Sequence, residues 1–159
     1  MVSSILRLCP SKPEDLEQFF KFQVDPIACN IAAFTAKDPT DKEAYMQKYA
    51  PLLSDPTIHM KTIFYNDQVV GSISKFEIEG EAEITYWINR QYWGQGIATK
   101  ALELFFTQEK MRPIFGRTAF DNIGSQKVLL NNGFIKTGSD TGFANARQAE
   151  IVEFVYRLD

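Results

Sequence analysis

The chain has few of the residues that build disulfide frameworks or histidine metal centres. Its 159 residues include two cysteines, Cys9 and Cys29, which are too few for a disulfide scaffold and lack a CxxC spacing. The single histidine, His59, does not make a histidine-based metal site on its own. We therefore expect reduced thiols and no metal, and we expect His59 at the surface where a strand begins.

The chain also lacks long apolar runs and an excess of positive charge. No stretch approaches the roughly 20 apolar residues of a membrane-spanning helix, and residues 1–10 do not have the layout of a signal peptide. The formal net charge is −3, whereas nucleic-acid-binding proteins usually carry basic patches. These absences predict a cytoplasmic protein without membrane or nucleic-acid partners. The length suits one domain over residues 1–159.

What the sequence does contain is a series of strand-like and helical segments. Turn residues separate three β-branched and aromatic stretches, which predicts antiparallel strands over 59–65, 68–78 and 82–89. The segment 25–34 is ambiguous and fits a short helix. The other predicted elements are strands over 4–9, 112–120, 134–139 and 149–158, helices over 11–23, 40–53, 95–109 and 121–131, and a loop over 140–148. Together they predict an α+β or mixed α/β fold with a single sheet.

Two helices are predicted to begin at capping boxes. Ser11 is followed three residues later by Glu14, and Thr40 is followed in the same way by Glu43. In both cases the hydroxyl side chain is expected to cap the helix. Pro51 is expected to end or bend the second of these helices.

The stretch YWGQGIATKAL, residues 92–102, places a glycine-rich corner directly before a helix. The first amide N–H groups of a helix have no partner within it, and glycines let the backbone approach an anion closely, so such corners bind phosphates. A tight turn is the alternative interpretation. The P-loop pattern is absent, and so is the third glycine of a dinucleotide-binding fingerprint.

Two segments carry a resemblance to a known family. AEITYWINRQYWGQGIATKALELFF and DNIGSQKVLLNNGFIKTG, within residues 82–138, resemble the GNAT superfamily of acetyl-CoA-dependent N-acetyltransferases. They are most similar to the RimJ/RimL-type branch, which acetylates ribosomal-protein N-termini. The resemblance implies a mostly antiparallel sheet of about seven strands, splayed between the fourth and fifth strands and flanked by about four helices.

The resemblance also implies acetyl-CoA as the acetyl donor and assigns residues to it. In the preferred frame Trp93 stands where the family pattern has Gln or Arg, while a frame that begins at Gln91 also fits the pattern. The corner implied to hold the coenzyme A pyrophosphate comprises Trp93, Gly94, Gln95, Gly96, Ile97, Ala98 and Thr99. The residues implied to hold the pantetheine arm are Trp87, Ile88 and Asn89, through main-chain groups, together with Asn122 and Ser125. A helix N-cap is the alternative role for Asn122, and both roles can hold at once.

Acetyl transfer to an amine needs a base, and Glu83 is the first candidate. It matches a strand glutamate that serves as the base in several family members, and strand alternation places Thr85, Trp87 and Asn89 on the same face. Glu81 is the second candidate. An exposed strand glutamate without a catalytic role is the alternative.

The other two demands of the reaction are charge stabilisation on the thioester oxygen and acceptance of the departing thiolate. The resemblance implies a main-chain amide near Ile88 for the oxygen. Many family members use a tyrosine for the thiolate at the position that Leu129 occupies here, and leucine cannot donate a proton. The resemblance offers Ser125, in the N-x-x-S pattern, as the donor instead, and a polar residue in the first turn of the helix is its alternative role. A thiol pKa near 8.5 also allows the thiolate to leave without an acid.

The acceptor site is predicted from four residues. Asn30 and Phe34, with Asp25, belong to a segment that often forms the substrate wall in this superfamily. Asp140 is predicted to meet a cation, and Tyr86 is assigned to the substrate site, with core packing as its alternative. The acceptor is either a protein N-terminal α-amine or a small-molecule amine. A non-catalytic acyl-CoA-binding module is the competing function, and a homodimer is a further expectation.

Overall fold

The computed structural model describes residues 5–159, so residue 4 of the predicted first strand lies outside the described residues. The strands are β1 Leu6–Pro10, β2 His59–Tyr65, β3 Gln68–Ile78, β4 Glu81–Ile88, β5 Ile114–Ala119, β6 Ile135–Ala144 and β7 Ala149–Leu158. The α-helices are α1 Asp15–Gln23, α2 Pro26–Ala32, α3 Lys42–Tyr49, α4 Ile97–Gln108 and α5 Ile123–Asn131. Short 3-10 helices span Ala50–Ser54, Arg90–Tyr92 and Asn145–Arg147.

The seven strands form one sheet in the order β1-β2-β3-β4-β5-β7-β6. Every neighbouring pair is antiparallel except β4 and β5, which are parallel and pair only at Ala82–Ile114 and Glu83–Phe115. The two strands then separate, as the predicted splay requires. The predicted fold class is confirmed, with five α-helices because the ambiguous segment 25–34 contains α2.

Tight turns set the register of the central strands. Asn66 and Asp67 both have positive φ, 49° and 66°, between β2 and β3. Glu79 and Gly80, at 52° and 81°, make the corresponding turn between β3 and β4. Two-residue turns of this kind match the twist of paired antiparallel strands, and this explains why the sequence located these three strands accurately.

Both predicted capping boxes are wrong. The Ser11 hydroxyl lies 2.8 Å from Thr62 Oγ1 instead of capping a helix, and α1 begins only at Asp15, after Glu14, without a side-chain cap. Asp41, one residue after Thr40, caps α3 by accepting from the amide of Ala44 at 3.0 Å.

The predicted loop over 140–148 is also wrong over most of its length. β6 continues to Ala144 and pairs with β7 up to Ala149, so this segment is a hairpin closed by a short 3-10 helix. Most β6 side chains are exposed because β6 is an edge strand. An exposed strand lacks the alternation of apolar and polar residues by which strands are recognised in a sequence.

The main core lies between the sheet and the helices α4 and α5. It contains the buried side chains of Ile63, Ile73, Leu102, Phe105 and Phe134. Packing on this core holds α4 against the part of the sheet formed by β1, β3 and β4, with the glycine corner at the start of the helix. Within residues 5–159, no helix is long and apolar enough to cross a membrane.

Candidate active site

Two cavities open on the sheet and meet where β4 and β5 separate. The larger, here called the aromatic chamber, has a volume of about 650 Å³ and extends from β4 and β5 towards α1 and α3. The smaller, here called the corner cleft, has a volume of about 360 Å³ and runs along the glycine corner and the start of α4. The residues that line both are Ala32, Tyr86, Trp87, Asn122 and Ser125. A molecule in one cavity can therefore touch a molecule in the other.

The glycine corner lines the corner cleft. Gly94 and Gly96 have φ values of 78° and 76°, a conformation that glycine adopts without steric cost. Trp93 donates from Nε1 to the carbonyl oxygen of Ile88 at 2.9 Å, which ties the corner to the end of β4. The helix α4 then starts at Ile97, and its first amides have no carbonyl partner within the helix.

The corner has the shape that a phosphate group needs. A Cβ added at Gly94 or Gly96 would meet no protein atom within 4 Å, so the space beside both glycines is open. Trp93, Gly94, Gly96, Ile97, Ala98 and Thr99 all line the cleft. The side chain of Gln95 is exposed and does not line either cavity. Free amides at a helix start, facing open space, fit the pyrophosphate of coenzyme A.

Main-chain groups of β4 are available where the strands separate. Asn89 donates its amide to Val70 on β3, and amides of consecutive strand residues point to opposite sides, so the Ile88 N–H points towards β5. Asn89 itself caps the following 3-10 helix by accepting from the Gln91 amide at 3.3 Å, and it lines neither cavity. Of the predicted main-chain partners for the pantetheine arm, Ile88 is the best placed.

Trp87 presents an unpartnered hydrogen-bond donor where the cavities meet. Its Nε1 atom is buried and has no hydrogen-bond partner within the described chain. An indole N–H can only donate, so its partner has to be an acceptor such as an oxygen. The carbonyl groups of an acetylated pantetheine arm are acceptors of this kind, and Trp87 lines both cavities.

A pair of hydroxyl groups lies at the same meeting point. The Tyr86 hydroxyl is 2.5 Å from Ser125 Oγ, and Asn122 caps α5 by accepting from the Ser125 amide at 3.2 Å. Burial raises the pKa of Tyr86 to about 12, although the hydrogen bond to Ser125 opposes this, so the phenol keeps its proton at neutral pH. Leu129 is buried, and its methyl groups lie against Gly116. They fill the space that any side chain at position 116 would need.

An arginine surrounded by three carboxylates lies on the chamber side of the sheet. Arg117 Nε is 3.3 Å from Glu83, and Nη1 is 2.8 Å from Asp140 and 3.2 Å from Glu153. Burial raises the pKa of Glu153 above its usual range, although the adjacent Arg117 opposes this. The Glu83 and Glu153 side chains are 12% and 19% exposed, and both residues line the chamber. Two nearly buried carboxylates thus face the larger cavity.

The structure brings together some of the predicted acceptor residues and separates the others. Phe34 and Tyr86 line the chamber. Asp25 caps α2 and pairs with Arg90 at 2.5 Å, and Asn30 is exposed with its carbonyl bound by Arg147. Asp140 is engaged by Arg117.

Asp25, Asn30 and Asp140 thus line neither cavity. Ion pairs hold the carboxylates of Asp25 and Asp140, and Arg147 binds the main-chain carbonyl of Asn30. The alternative base, Glu81, is exposed and also lies outside both cavities. His59 is half exposed at the start of β2, as expected, and its Nδ1 lies 2.5 Å from Glu109.

Sequence reasoning missed Arg117, Thr118 and Glu153. Thr118 is 4% exposed, lines the chamber and has no hydrogen-bond partner for its hydroxyl within the described chain. The sequence did contain one signal for Glu153: in the predicted strand its charged side chain lies on the same face as the apolar Ile151 and Val155. No local pattern indicates that β5 and β7 bring Arg117 and Glu153 beside β4.

Comparisons with known proteins agree with this geometry. Residues 6–135 match the family model described as the acetyltransferase (GNAT) domain. The ribosomal-protein-serine acetyltransferase of Escherichia coli (strain K12) is 34% identical over 104 residues, which cover 61% of this chain and 55% of that protein. The chain thus matches about half the length of this curated relative.

Solved structures show the same fold. Mycobacterium smegmatis RimJ in complex with CoA-disulfide has a TM-score of 0.78 at 19% identity, covering 96% of this chain and 81% of that one. Spermidine N-acetyltransferase from Vibrio cholerae in complex with CoA and spermine has a TM-score of 0.74 at 20% identity, covering 95% and 94%. At these identities the likeness concerns the fold alone.

Proposed function

This chain belongs to the GNAT acetyltransferase family, and on that premise we propose that it transfers an acetyl group from acetyl-CoA to a primary amine. The observation that carries the proposal is the meeting of two chemically different cavities at Tyr86, Trp87 and Ser125. One cavity offers free amides and an open glycine corner, and the other offers buried carboxylates. This pairing suits direct transfer between two molecules bound at the same time.

We assign the corner cleft to the coenzyme. The amides between Gly94 and Thr99 hold the pyrophosphate, and the Ile88 main chain with the Trp87 indole and Asn122 holds the pantetheine arm. Bound there, acetyl-CoA supplies an activated acetyl thioester. The chain's own contribution is to hold the thioester at the point where the cavities meet.

Glu83 is the proposed base. It lies on β4, it lines the aromatic chamber, and Arg117 holds its carboxylate in place at 3.3 Å. A carboxylate in this position attracts an incoming ammonium and removes a proton, so that the amine becomes nucleophilic. Glu153, 3.2 Å from the same guanidinium, provides a second acceptor for the ammonium hydrogens.

Two donors act on the thioester side. The Ile88 N–H points into the gap between β4 and β5, where it can stabilise negative charge on the thioester oxygen. Ser125 Oγ donates a hydrogen bond to the departing thiolate, which leaves without taking the serine proton because a thiol has a pKa of only about 8.5. We assign the Tyr86 hydroxyl as the donor in its 2.5 Å contact with Ser125 Oγ, which leaves the serine hydrogen free for this role.

A thermal melt with and without acetyl-CoA tests the coenzyme site. At about 100 times its Kd, a ligand stabilises the folded protein by about 2.7 kcal/mol, which for this length corresponds to a rise in Tm of roughly 5–10 °C. An unchanged Tm of protein known to be free of coenzyme would contradict the assignment. A thiol-release assay across amines then measures turnover.

Glu83→Gln separates catalysis from binding. We expect turnover to fall by roughly 10²–10⁴-fold while the Tm rise with acetyl-CoA persists. Glu81→Gln tests the alternative base on the same strand. A larger fall in turnover in this variant than in Glu83→Gln would assign the base to Glu81 instead. Binding without turnover in the unmodified protein would favour the non-catalytic acyl-CoA-binding module.

The acceptor is a primary amine in this proposal. The names of the relatives give a ribosomal protein in one case and spermidine in another. The cytoplasmic location, the homodimer and the single domain over residues 1–159 stay predictions from the sequence.

A further inference from the structure

We propose that the acceptor is a small amine with one ammonium group and an aromatic body, rather than a polyamine or a protein N-terminus. This inference rests on the proposed function, because it names the substrate class of the same site. It follows from the wall composition, the size and the charges of the aromatic chamber.

Aromatic rings build the chamber wall opposite the sheet. Phe19 and Phe22 come from α1, Tyr45 and Tyr49 from α3, and Phe34 from the segment after α2, while Phe76 of β3 adds a ring on the sheet side. The Tyr45 and Tyr49 ring centroids are 4.4 Å apart, so two of these rings already pack on each other. Rings attract further rings in offset or edge-on contact, by about 0.5–1.5 kcal/mol beyond the buried area.

The size of the chamber suits a small molecule. Its volume of about 650 Å³ lies within the roughly 300–1,000 Å³ of sites for small molecules, which are mostly apolar with a few placed polar groups. An extended peptide is usually held through repeated main-chain hydrogen bonds. Ring faces cannot supply them, and the free main chain of β4 serves the corner cleft instead.

The charges of the chamber favour a single ammonium. Among the described residues, the charged side chains that line it are Glu83, Glu153, Arg117 and Lys48. Both carboxylates lie on the sheet wall, next to the meeting point of the cavities, whereas Lys48 belongs to α3 and lies over the Tyr49 ring at 5.2 Å. A second ammonium in the part of the chamber near α3 would meet the positive charge of Lys48, which already lies over the Tyr49 ring, and the described residues that line this part include no carboxylate.

The test compares amines that differ in one feature. The values of kcat/KM would be measured by thiol release for 2-phenylethylamine, n-butylamine, spermidine and a short peptide beginning with serine. We expect 2-phenylethylamine to exceed n-butylamine by at least about tenfold, as a well-fitted apolar group does in an apolar pocket. Calorimetry of CoA-loaded protein adds a readout without turnover, in which 2-phenylethylamine should bind more tightly than spermidine.

A variant of the ring wall completes the test. Phe22→Ala should reduce the preference for 2-phenylethylamine over n-butylamine by several-fold, and Phe22→Leu provides the same test with less loss of volume should the alanine variant fold poorly. Phe143→Ala is the matched control, because Phe143 is exposed on β6 and lines neither cavity. The preference should be unchanged in the control.

The outcomes separate the two proposals. Equal or better turnover of spermidine, the peptide or n-butylamine would overturn the aromatic-amine inference while acetyl transfer stands. An unchanged preference in both Phe22 variants would also overturn it. Absence of thiol release with every amine would overturn the proposed function itself, and the substrate class with it.

Discussion

The hydroxyl pair of Tyr86 and Ser125 allows a quantitative test of how the thiolate is accepted. Tyr86→Phe removes one hydroxyl and keeps the ring, so the packing of β4 against α5 is retained. The lost interaction spans 2.5 Å between the two oxygen atoms. A hydrogen bond of this kind contributes about 0.5–1.5 kcal/mol net, which corresponds to a fall in kcat of roughly 2- to 13-fold.

The partner variant determines whether Tyr86 acts through Ser125. Ser125→Ala removes the proposed donor, and we expect a larger fall in kcat than for Tyr86→Phe. In the double variant, Tyr86→Phe should cost nothing further, because the hydroxyl it orients is gone. The coupling energy between the two sites should therefore equal the single effect of Tyr86→Phe, about 0.5–1.5 kcal/mol.

The assay is steady-state thiol release with acetyl-CoA varied at saturating amine. The KM for acetyl-CoA should stay nearly constant, since the pair is proposed to act on the leaving group rather than on binding. Tyr65→Phe, on β2 and outside both cavities, is the matched control and should retain the original kcat. Additive effects of the two substitutions, or an unchanged kcat in Tyr86→Phe, would refute the reasoning.

Three further predictions follow from backbone geometry and charge. In Gly71→Ala the new Cβ would lie 2.1 Å from the carbonyl oxygen of Trp87, so we expect a loss of about 1–3 kcal/mol and a lower Tm, and an unchanged Tm would contradict this. Gly96→Ala forces φ near 76° on alanine and should shrink the Tm rise with acetyl-CoA, whereas Gly138→Ala, with open space and no positive φ, should not. Burial raises the pKa of Glu153, so kcat/KM should fall as the pH drops through that raised pKa. Glu153→Gln should move this fall in the pH profile of kcat/KM to lower pH, and an unmoved profile would show that Glu153 does not control it.

The sequence predicted features that depend on local interactions more accurately than features that depend on contacts between distant residues. Turn residues at Asn66-Asp67 and at Gly80 are local, and they located β2, β3 and β4 to within one residue. The glycine corner is also local, and the structure places it at the start of α4 as the pattern predicts. Local chemistry thus predicted the sheet centre and the position of the corner cleft.

Competition between nearby side chains was harder to predict. Ser11 had the right spacing for a cap, but Thr62, distant in the sequence, binds its hydroxyl. Thr40 was displaced by the carboxylate of Asp41, one residue later. Capping patterns therefore located the helices and misplaced their first residues.

Long-range pairing explains what the sequence did not reveal about the site. Arg117 on β5 and Glu153 on β7 meet Glu83 on β4 only because the sheet order brings these strands together. Asp140 was assigned to the acceptor, yet strand pairing places it on Arg117 instead. Charges on strands acquire their partners from the sheet register, which no local pattern encodes.

The short pairing between β4 and β5 divides the main-chain hydrogen bonds of the sheet into two networks. Strands β1 to β4 form one network, and β5, β7 and β6 form the other, joined only at Ala82–Ile114 and Glu83–Phe115. Regions joined by few hydrogen bonds open separately in native-state hydrogen exchange. The coenzyme arm proposed for the gap contacts β4 through Ile88 and reaches Asn122 at the start of α5, which follows β5, so coenzyme binding is expected to couple the opening of the two networks.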